Sequence, residues 1–208
     1  MSQIILDFGS GNTCQNDISI VKRMIDELKA VDTGKHEVII KWQLFESAGE
    51  NIPLWHSMFL QAYIHAASLG YKTTASVFDK KSLEYLLQFD IPFVKIANRR
   101  DLDWLIGEIP RKTEIYISYS ECSHIICKRI SNVKYMACIS NYPALSEDYE
   151  KRFEAHSLKF AISDHTIGTE LYKKYQPMIW EKHYKLNDST GLDAGPFSIT
   201  PEELKEIL

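Results

Sequence analysis

Eight short runs rich in β-branched and aromatic residues recur along the 208-residue chain, at residues 4–8, 38–44, 73–77, 93–97, 114–118, 133–139, 159–163 and 178–183. They are apolar along most of their length instead of alternating strictly with polar residues, the pattern of strands covered on both faces. Most are followed by a segment of helical period. Residues 18–30 place Ile18, Val21, Ile25 and Leu28 on one stripe, and residues 54–69 do the same with Leu54, Met58, Ala62 and His65. Residues 80–89, 101–109, 146–155 and 201–208 read as further helices, the last with Thr200 as cap and Pro201 in the first helical position. Strand then helix, eight times over, predicts a parallel sheet. The count favours closure into an α/β (β/α)8 TIM barrel, with an open doubly wound sheet as the rival. Such barrels typically take ~250 residues, so this one must be compact, with shortened helices and loops. The weakest repeat lies between residues 120 and 133, which leaves room for only about three helical turns.

One core fits a chain of this size. The 45% hydrophobic content is spread evenly, so residues 1–208 read as a single domain. The net charge of −4 comes from interspersed acids and bases and leaves no basic field for nucleic acid or an anionic membrane. Arg99-Arg100 and Lys128-Arg129 read as solvated faces. No apolar stretch reaches the ~20 residues of a membrane span, and the N-terminus lacks the pattern of a signal peptide, which predicts a cytoplasmic protein. Cys14, Cys122, Cys127 and Cys138 form no Cys-x-x-Cys pair and predict reduced thiols. Cys138 reads as a small core residue, not a nucleophile.

In a parallel barrel the C-terminal strand ends share one mouth, and polar residues gather there. They are Asp7, then Lys41 and Gln43, Ser76 and Asp79, Lys95 and Asn98, Ser118 and Ser120. The later strands add Ser140, Asn141 and Tyr142, then Ser163, Asp164 and His165, and finally Glu181 and His183. Lys41 and Lys95 sit among apolar residues, which implies either a bound anion or ion pairs with a carboxylate such as Asp7 or Glu181. His165 and His183 each end an apolar run on successive strands, as joint ligands of one metal or as separately hydrogen-bonded residues. The turn-rich loop at residues 191–196 overhangs the same mouth, with Asp193 either facing a ligand or sitting in a solvated turn.

Six stretches then stand out together: Lys95-Ile-Ala, Cys138-Ile-Ser-Asn-Tyr142-Pro143, Ser163-Asp-His-Thr-Ile-Gly168, Glu181-Lys-His-Tyr184, Gly191-Leu-Asp193 and Pro201-Glu-Glu-Leu. In this order, from about residue 4 to the C-terminus, the chain resembles the sialic acid synthase family. These barrel enzymes condense phosphoenolpyruvate with N-acetylmannosamine or a related acetamido sugar. The resemblance implies that His165 and His183 hold a divalent metal, manganese first, with magnesium or cobalt as alternatives. It implies that Lys41, Ser76, Lys95, Ser118 and Ser163 hold the carboxylate and phosphate of phosphoenolpyruvate, and that Ser140, Tyr142 and Asp193 contact the sugar, with Gln43 in the substrate-binding set. Asp7 stands where the family has glutamate, and Glu181 keeps its acidic type beside the metal histidine. With Lys95, these two are the implied catalytic groups.

The chain departs from the family in several places. Its first loop, Gly9-Ser-Gly-Asn12-Thr-Cys-Gln-Asn, replaces an Asn-His-Asn-Gly run, and Asn98-Arg99 replaces Ser-Gly. Ser118-Tyr119-Ser120-Glu121 replaces Ser-Thr-Gly-Met, which predicts a narrower anion pocket. The family's C-terminal antifreeze-like domain has no counterpart before Leu208, so a partner chain supplying that cap is one expectation. A sugar- or anion-binding barrel without turnover and one half of a split enzyme are the alternatives to a complete synthase.

Overall fold

The structure, a computed structural model, describes residues 2–47, 49–120, 131–156 and 160–208. The short helix expected near 120–130 lies outside these residues, as do Glu121, Cys122, Cys127, the Lys128-Arg129 pair and residue 159 of the seventh run. Eight strands form a closed parallel barrel in chain order: β1 (Gln3–Asp7), β2 (Glu37–Leu44), β3 (Lys72–Val77), β4 (Val94–Ile96), β5 (Ile115–Tyr119), β6 (Val133–Cys138), β7 (Ala161–Asp164) and β8 (Ile179–His183). Closure runs through β1 and β8, with Ile5 opposite Glu181 and Asp7 opposite His183. The open-sheet alternative is excluded by that pairing.

Among the described residues eight α-helices surround the barrel: α1 (Gly11–Cys14), α2 (Ile18–Val31), α3 (His56–Ser68), α4 (Lys80–Leu86), α5 (Leu105–Glu108), α6 (Ser146–His156), α7 (Glu170–Tyr175) and α8 (Pro201–Leu204). Size is saved here, because five of these are only one or two turns long. The region expected as one helix at 101–109 is a 3-10 turn, Arg100–Leu102, followed by α5. Local chemistry sets the starts. Asp17 accepts from the Ser19 amide ahead of α2, Asp79 from the Ser82 amide at α4, and Thr200 with Glu203 forms a capping box at α8. Helix α2 buries Val21, Met24, Ile25 and Leu28, close to the expected stripe. Helix α3 is rotated from expectation. It starts only at His56, so Leu54 precedes it, and it buries Phe59, Ala62 and Ala66. His65 turns away to bond Asp26 of α2 at 2.7 Å.

Strand alternation divides the apolar residues into two sets. Ile4, Leu6, Trp42, Val94, Ile117, Ile162 and Trp180 point outward into the large core beneath the helices. Ile5, Ile39, Phe93, Tyr116, Met136 and Ala161 point inward and plug the barrel, with Phe93 and Tyr116 stacked at 3.9 Å. Each fully buried large apolar side chain contributes ~1.5–3 kcal/mol. The plug also gives the mouth a dry floor.

Candidate active site at the barrel mouth

One step along each strand beyond the plug, the same alternation turns polar side chains inward. The inward residues of β1 to β8 are there Asp7, Lys41, Ser76, Lys95, Ser118, Cys138, Ser163 and Glu181, all buried. A further step brings Gln43, Ser140, His165 and His183, and the loops add Asn98, Tyr142, Asp193 and Phe197. Together they line a cavity of about 580 Å³, within the ~300–1,000 Å³ range of small-molecule sites. Each residue to which the resemblance gives a role lines this cavity, whereas Ser120 and Asn141, also expected at the mouth, do not.

The cationic part of the floor is built from two lysine–serine pairs. Lys41 Nζ donates to Asp7 Oδ2 at 2.6 Å and to Ser76 Oγ at 2.9 Å, and lies 3.7 Å from Glu181 Oε1. Lys95 Nζ donates to Ser118 Oγ at 2.7 Å and lies 3.5 Å from Glu181 Oε1. Ser163 Oγ donates to that same oxygen at 3.2 Å, while Glu181 Oε2 has no hydrogen-bond partner among the described residues. Of the two sequence readings for the lysines, the ion pairs are thus present. Burial works against each charge, and the outcomes differ. At Asp7 burial is outweighed by Lys41 and then His183, which hold its carboxyl far below the usual range. At Glu181 burial is outweighed by Lys41 and Lys95, so its pKa also falls. Lys41 is desolvated too, but Asp7 and Glu181 raise its pKa. Lys95 is the exception: burial prevails over Glu181, Lys41 adds repulsion, and its pKa drops. Lys95 is therefore the under-compensated cation of the floor.

The two imidazoles lie across the mouth, on β8 and just beyond β7, with ring centres 5.6 Å apart. His165 Nδ1 is 2.6 Å from the Ile139 carbonyl, a contact that puts the proton on Nδ1 and leaves Nε2 a bare acceptor. Burial, then the neighbouring His183, pushes its pKa down to about 3. His183 stands between Asp7 Oδ2 at 3.8 Å and Asp193 Oδ1 at 3.4 Å, and its buried Nδ1 has no hydrogen-bond partner among the described residues. Tyr142 covers His165 at 4.0 Å and Phe197 packs on His183 at 5.0 Å. Among the described residues no group of three or more histidine, cysteine or acidic side chains is arranged around an ion position. A bare Nε2 beside an unpartnered Nδ1 fits a divalent cation held by two imidazoles, with its other positions filled by water or substrate. His165 must stay neutral at ordinary pH, so its ring proton resonances are expected to hold the neutral position from pH 8 down to 5. A titration midpoint near 6.5 would contradict this environment.

Asp193 reaches the site because its loop is held close. Gln43 Nε2 donates to Asp193 Oδ1 and to Asp7 Oδ2, both at 3.1 Å. A Cβ on Gly9 (φ +75°) would stand 2.8 Å from the Asp193 Cβ and 2.3 Å from Thr13 Oγ1, so only glycine permits this approach. Burial raises the Asp193 pKa. Asp193 thus lines the cavity and is not a solvated turn residue.

Other expectations are corrected. Asp164 lies outside the mouth: β7 alternation turns it away from the barrel, where it meets Lys182 at 3.3 Å and the Trp180 indole at 3.0 Å. Asp79 caps α4 and accepts from the Glu46 amide at 2.8 Å. Tyr119 does not narrow the pocket, because it points outward beneath the Arg152 guanidinium at 4.6 Å. Cys138 is both things at once. It is buried and lines the cavity, and burial pushes its thiol up to about 12, consistent with an inert residue. Sequence reasoning missed Phe78, Leu192 and Phe197 in the wall. Apolar residues in loops carry no periodic signal, so only the Gly195-Pro196 turn beside Phe197 hinted at its place.

Comparison with known proteins identifies the family and the fold. The NeuB family model matches residues 43–208. Pseudaminic acid synthase of Helicobacter pylori is 28% identical over 186 residues, covering 80% of this chain and 54% of the relative. N-acetylneuraminate-9-phosphate synthase of Drosophila melanogaster is 24% identical over 169 residues, 72% of this chain and 45% of the relative. The chain spans about half the length of the curated relatives it matches. Among solved structures, N-acetylneuraminic acid (sialic acid) synthetase from Leptospira borgpetersenii superposes with a TM-score of 0.77 at 23% identity, covering 98% of this chain and 80% of that one. A putative spore coat polysaccharide biosynthesis protein E from Chromobacterium violaceum gives 0.80 at 15% identity, covering 99% and 72%. These two share the barrel fold. With the family model matched over most of its length, the chain belongs to the NeuB family.

Proposed function

We propose that this barrel condenses phosphoenolpyruvate with an N-acetylmannosamine-like sugar, giving a nonulosonic acid and inorganic phosphate. The observation that carries the reading is the convergence, in one mouth, of the Lys41–Ser76 and Lys95–Ser118 pairs with the His165–His183 pair. A phosphoenolpyruvate carries a carboxylate and a phosphate, and two ammonium–hydroxyl pairs on a dry floor match two anionic groups. In this reading, carbon C3 of the enol attacks the sugar aldehyde, forming the new C–C bond and leaving positive charge at C2. Water adds at C2 and phosphate departs by C–O cleavage, which balances the atoms. The unpartnered Glu181 Oε2 is the group that accepts the proton of that water. Asp7, Gln43, Ser140, Tyr142 and Asp193 orient the sugar, and Phe197 with Tyr142 keeps bulk water from its reacting end. A divalent cation, held by His165 and His183, would polarise the aldehyde oxygen, with manganese the first candidate.

The test is phosphate release from phosphoenolpyruvate, with N-acetylmannosamine or a diacetamido hexose as acceptor and manganese added. Release that requires both substrates and falls by ~10²-fold or more in His183→Ala is expected. Phosphoenolpyruvate binding without release for any acetamido sugar would move the chain to a binding role.

A further inference from the structure

The cavity holds three carboxylates, Asp7, Glu181 and Asp193, against the two floor lysines. Lys41 is already committed to Asp7 at 2.6 Å, and both lysines face Glu181. Lys95, the less compensated of the two, then has a single charge to offer, one short of a phosphoryl dianion. Among the described residues lining the cavity, the remaining lysine or arginine is Arg99, just past β4, with its guanidinium 5.9 Å from the Phe78 ring. It sits on the Lys95–Ser118 side, across the mouth from the imidazoles. Its current partner is weakly tied. Arg99 Nε and Nη2 fork onto Asp101 at 3.1 and 2.5 Å, but the two side chains are 50% and 60% exposed. Such solvent-facing pairs contribute little. A guanidinium that already binds a carboxylate through two bonds has the geometry for two phosphate oxygens, and that charge-assisted fork is among the stronger contacts available to a protein.

We infer that Arg99 is a specificity residue for the phosphoryl end of the substrate, exchanging Asp101 for phosphate when phosphoenolpyruvate enters the Lys95 side of the cavity. The inference rests on the proposed reaction but concerns one end of one substrate. It also gives the Asn98-Arg99 departure a function. Asn98 ties the neighbouring loops, accepting from the Ser120 amide at 3.0 Å and donating to Ser140 at 2.6 Å, and this leaves Arg99 at the rim with a fixed backbone beneath it.

Calorimetric titration of the full chain with phosphoenolpyruvate, and separately with pyruvate, tests the idea. Arg99→Gln is expected to weaken phosphoenolpyruvate at least ten-fold while changing pyruvate, which lacks the phosphoryl group, less than two-fold. Arg99→Lys should recover part of the loss, because charge remains and the fork does not. Asp101→Asn, which releases the guanidinium, should tighten phosphoenolpyruvate by about two- to five-fold. Arg99→Gln binding phosphoenolpyruvate within two-fold of wild type, or losing pyruvate equally, overturns the assignment and leaves the proposed reaction standing. Wild-type protein that binds no phosphoenolpyruvate sinks the reaction itself. Thermal unfolding of Arg99→Gln is expected to match wild type, since the side chain packs into no core.

Discussion

Lys95→Met is expected to lower kcat/KM for the proposed phosphoenolpyruvate condensation by ~10²–10³-fold, the size of losing one preorganised electrostatic contact, without destabilising the protein. Lys41→Met should lose activity and stability together. The difference follows from compensation. Burial already disfavours the Lys95 charge, and Glu181 keeps Lys41 and Ser163 when Lys95 is removed. Lys41 instead neutralises Asp7 at 2.6 Å, so its removal leaves that buried carboxylate with only the neutral Gln43 and Gly9 donors, whereas Glu181 keeps Lys95. Breaking such a pair costs ~3–5 kcal/mol. The pH dependence has a definite sign. Asp7 and Glu181 both have pKa values lowered by folding, so the stability they contribute is full above their unfolded values near 4 and is lost as pH falls through the folded ones. The stability gap between wild type and Lys41→Met should therefore be widest near neutrality and narrow below pH ~4. Denaturant titrations at pH 7 and pH 3, beside phosphate-release kinetics, check both parts. A stable Lys41→Met at pH 7, or an active Lys95→Met, would refute the charge assignment.

Much of this site was legible because a barrel turns linear order into a ring. Once eight buried strands are recognised, the residue near each strand's C-terminal end is placed at the mouth whatever its sequence distance from the others. Lys41 and Lys95 were conspicuous as charges inside apolar runs, and His165 and His183 as polar ends of such runs. The parity of each strand was harder to read. On β7, Ser163 and Asp164 are equally polar neighbours, and only one step of alternation decides that Ser163 enters the cavity while Asp164 leaves it. The same parity sends Ser118 in and Tyr119 out, which is why a bulky residue there does not crowd the pocket. Short helices were harder still. Residues 170–175 make α7 with only Leu171 and Tyr172 buried, too few turns for a 3.6-residue period to emerge. Helix α1, four residues long between Ser10 and Gln15, has the same problem.

Asp164, misread as a mouth residue, yields an expected effect on stability as large as that of Lys41. Its carboxylate and the Lys182 ammonium are both 0% exposed and 3.3 Å apart. Oδ2 also accepts from Trp180 Nε1 at 3.0 Å, and Oδ1 accepts from the Thr166 amide and hydroxyl, each at 2.7 Å. Lys182 Nζ has one other acceptor, the Thr166 carbonyl at 2.5 Å. Asp164→Ala removes the acceptor from all of these donors and leaves the ammonium buried with that carbonyl alone. A loss of ~3–5 kcal/mol is expected, or roughly 6–20 °C in Tm for a chain of this size. Lys182→Met should cost much less, because burial already disfavours that charge and Asp164 keeps its other three donors. The damage should also reach the site. Asp164 lies between Ser163 and His165 in sequence and fixes the turn at Thr166, so Asp164→Ala should weaken the proposed metal binding at a temperature where the variant is still folded. Calorimetric unfolding and manganese titration measure the two effects. If Asp164→Ala melts within about 2 °C of wild type, the buried pair is not the brace that holds the end of β7 in place.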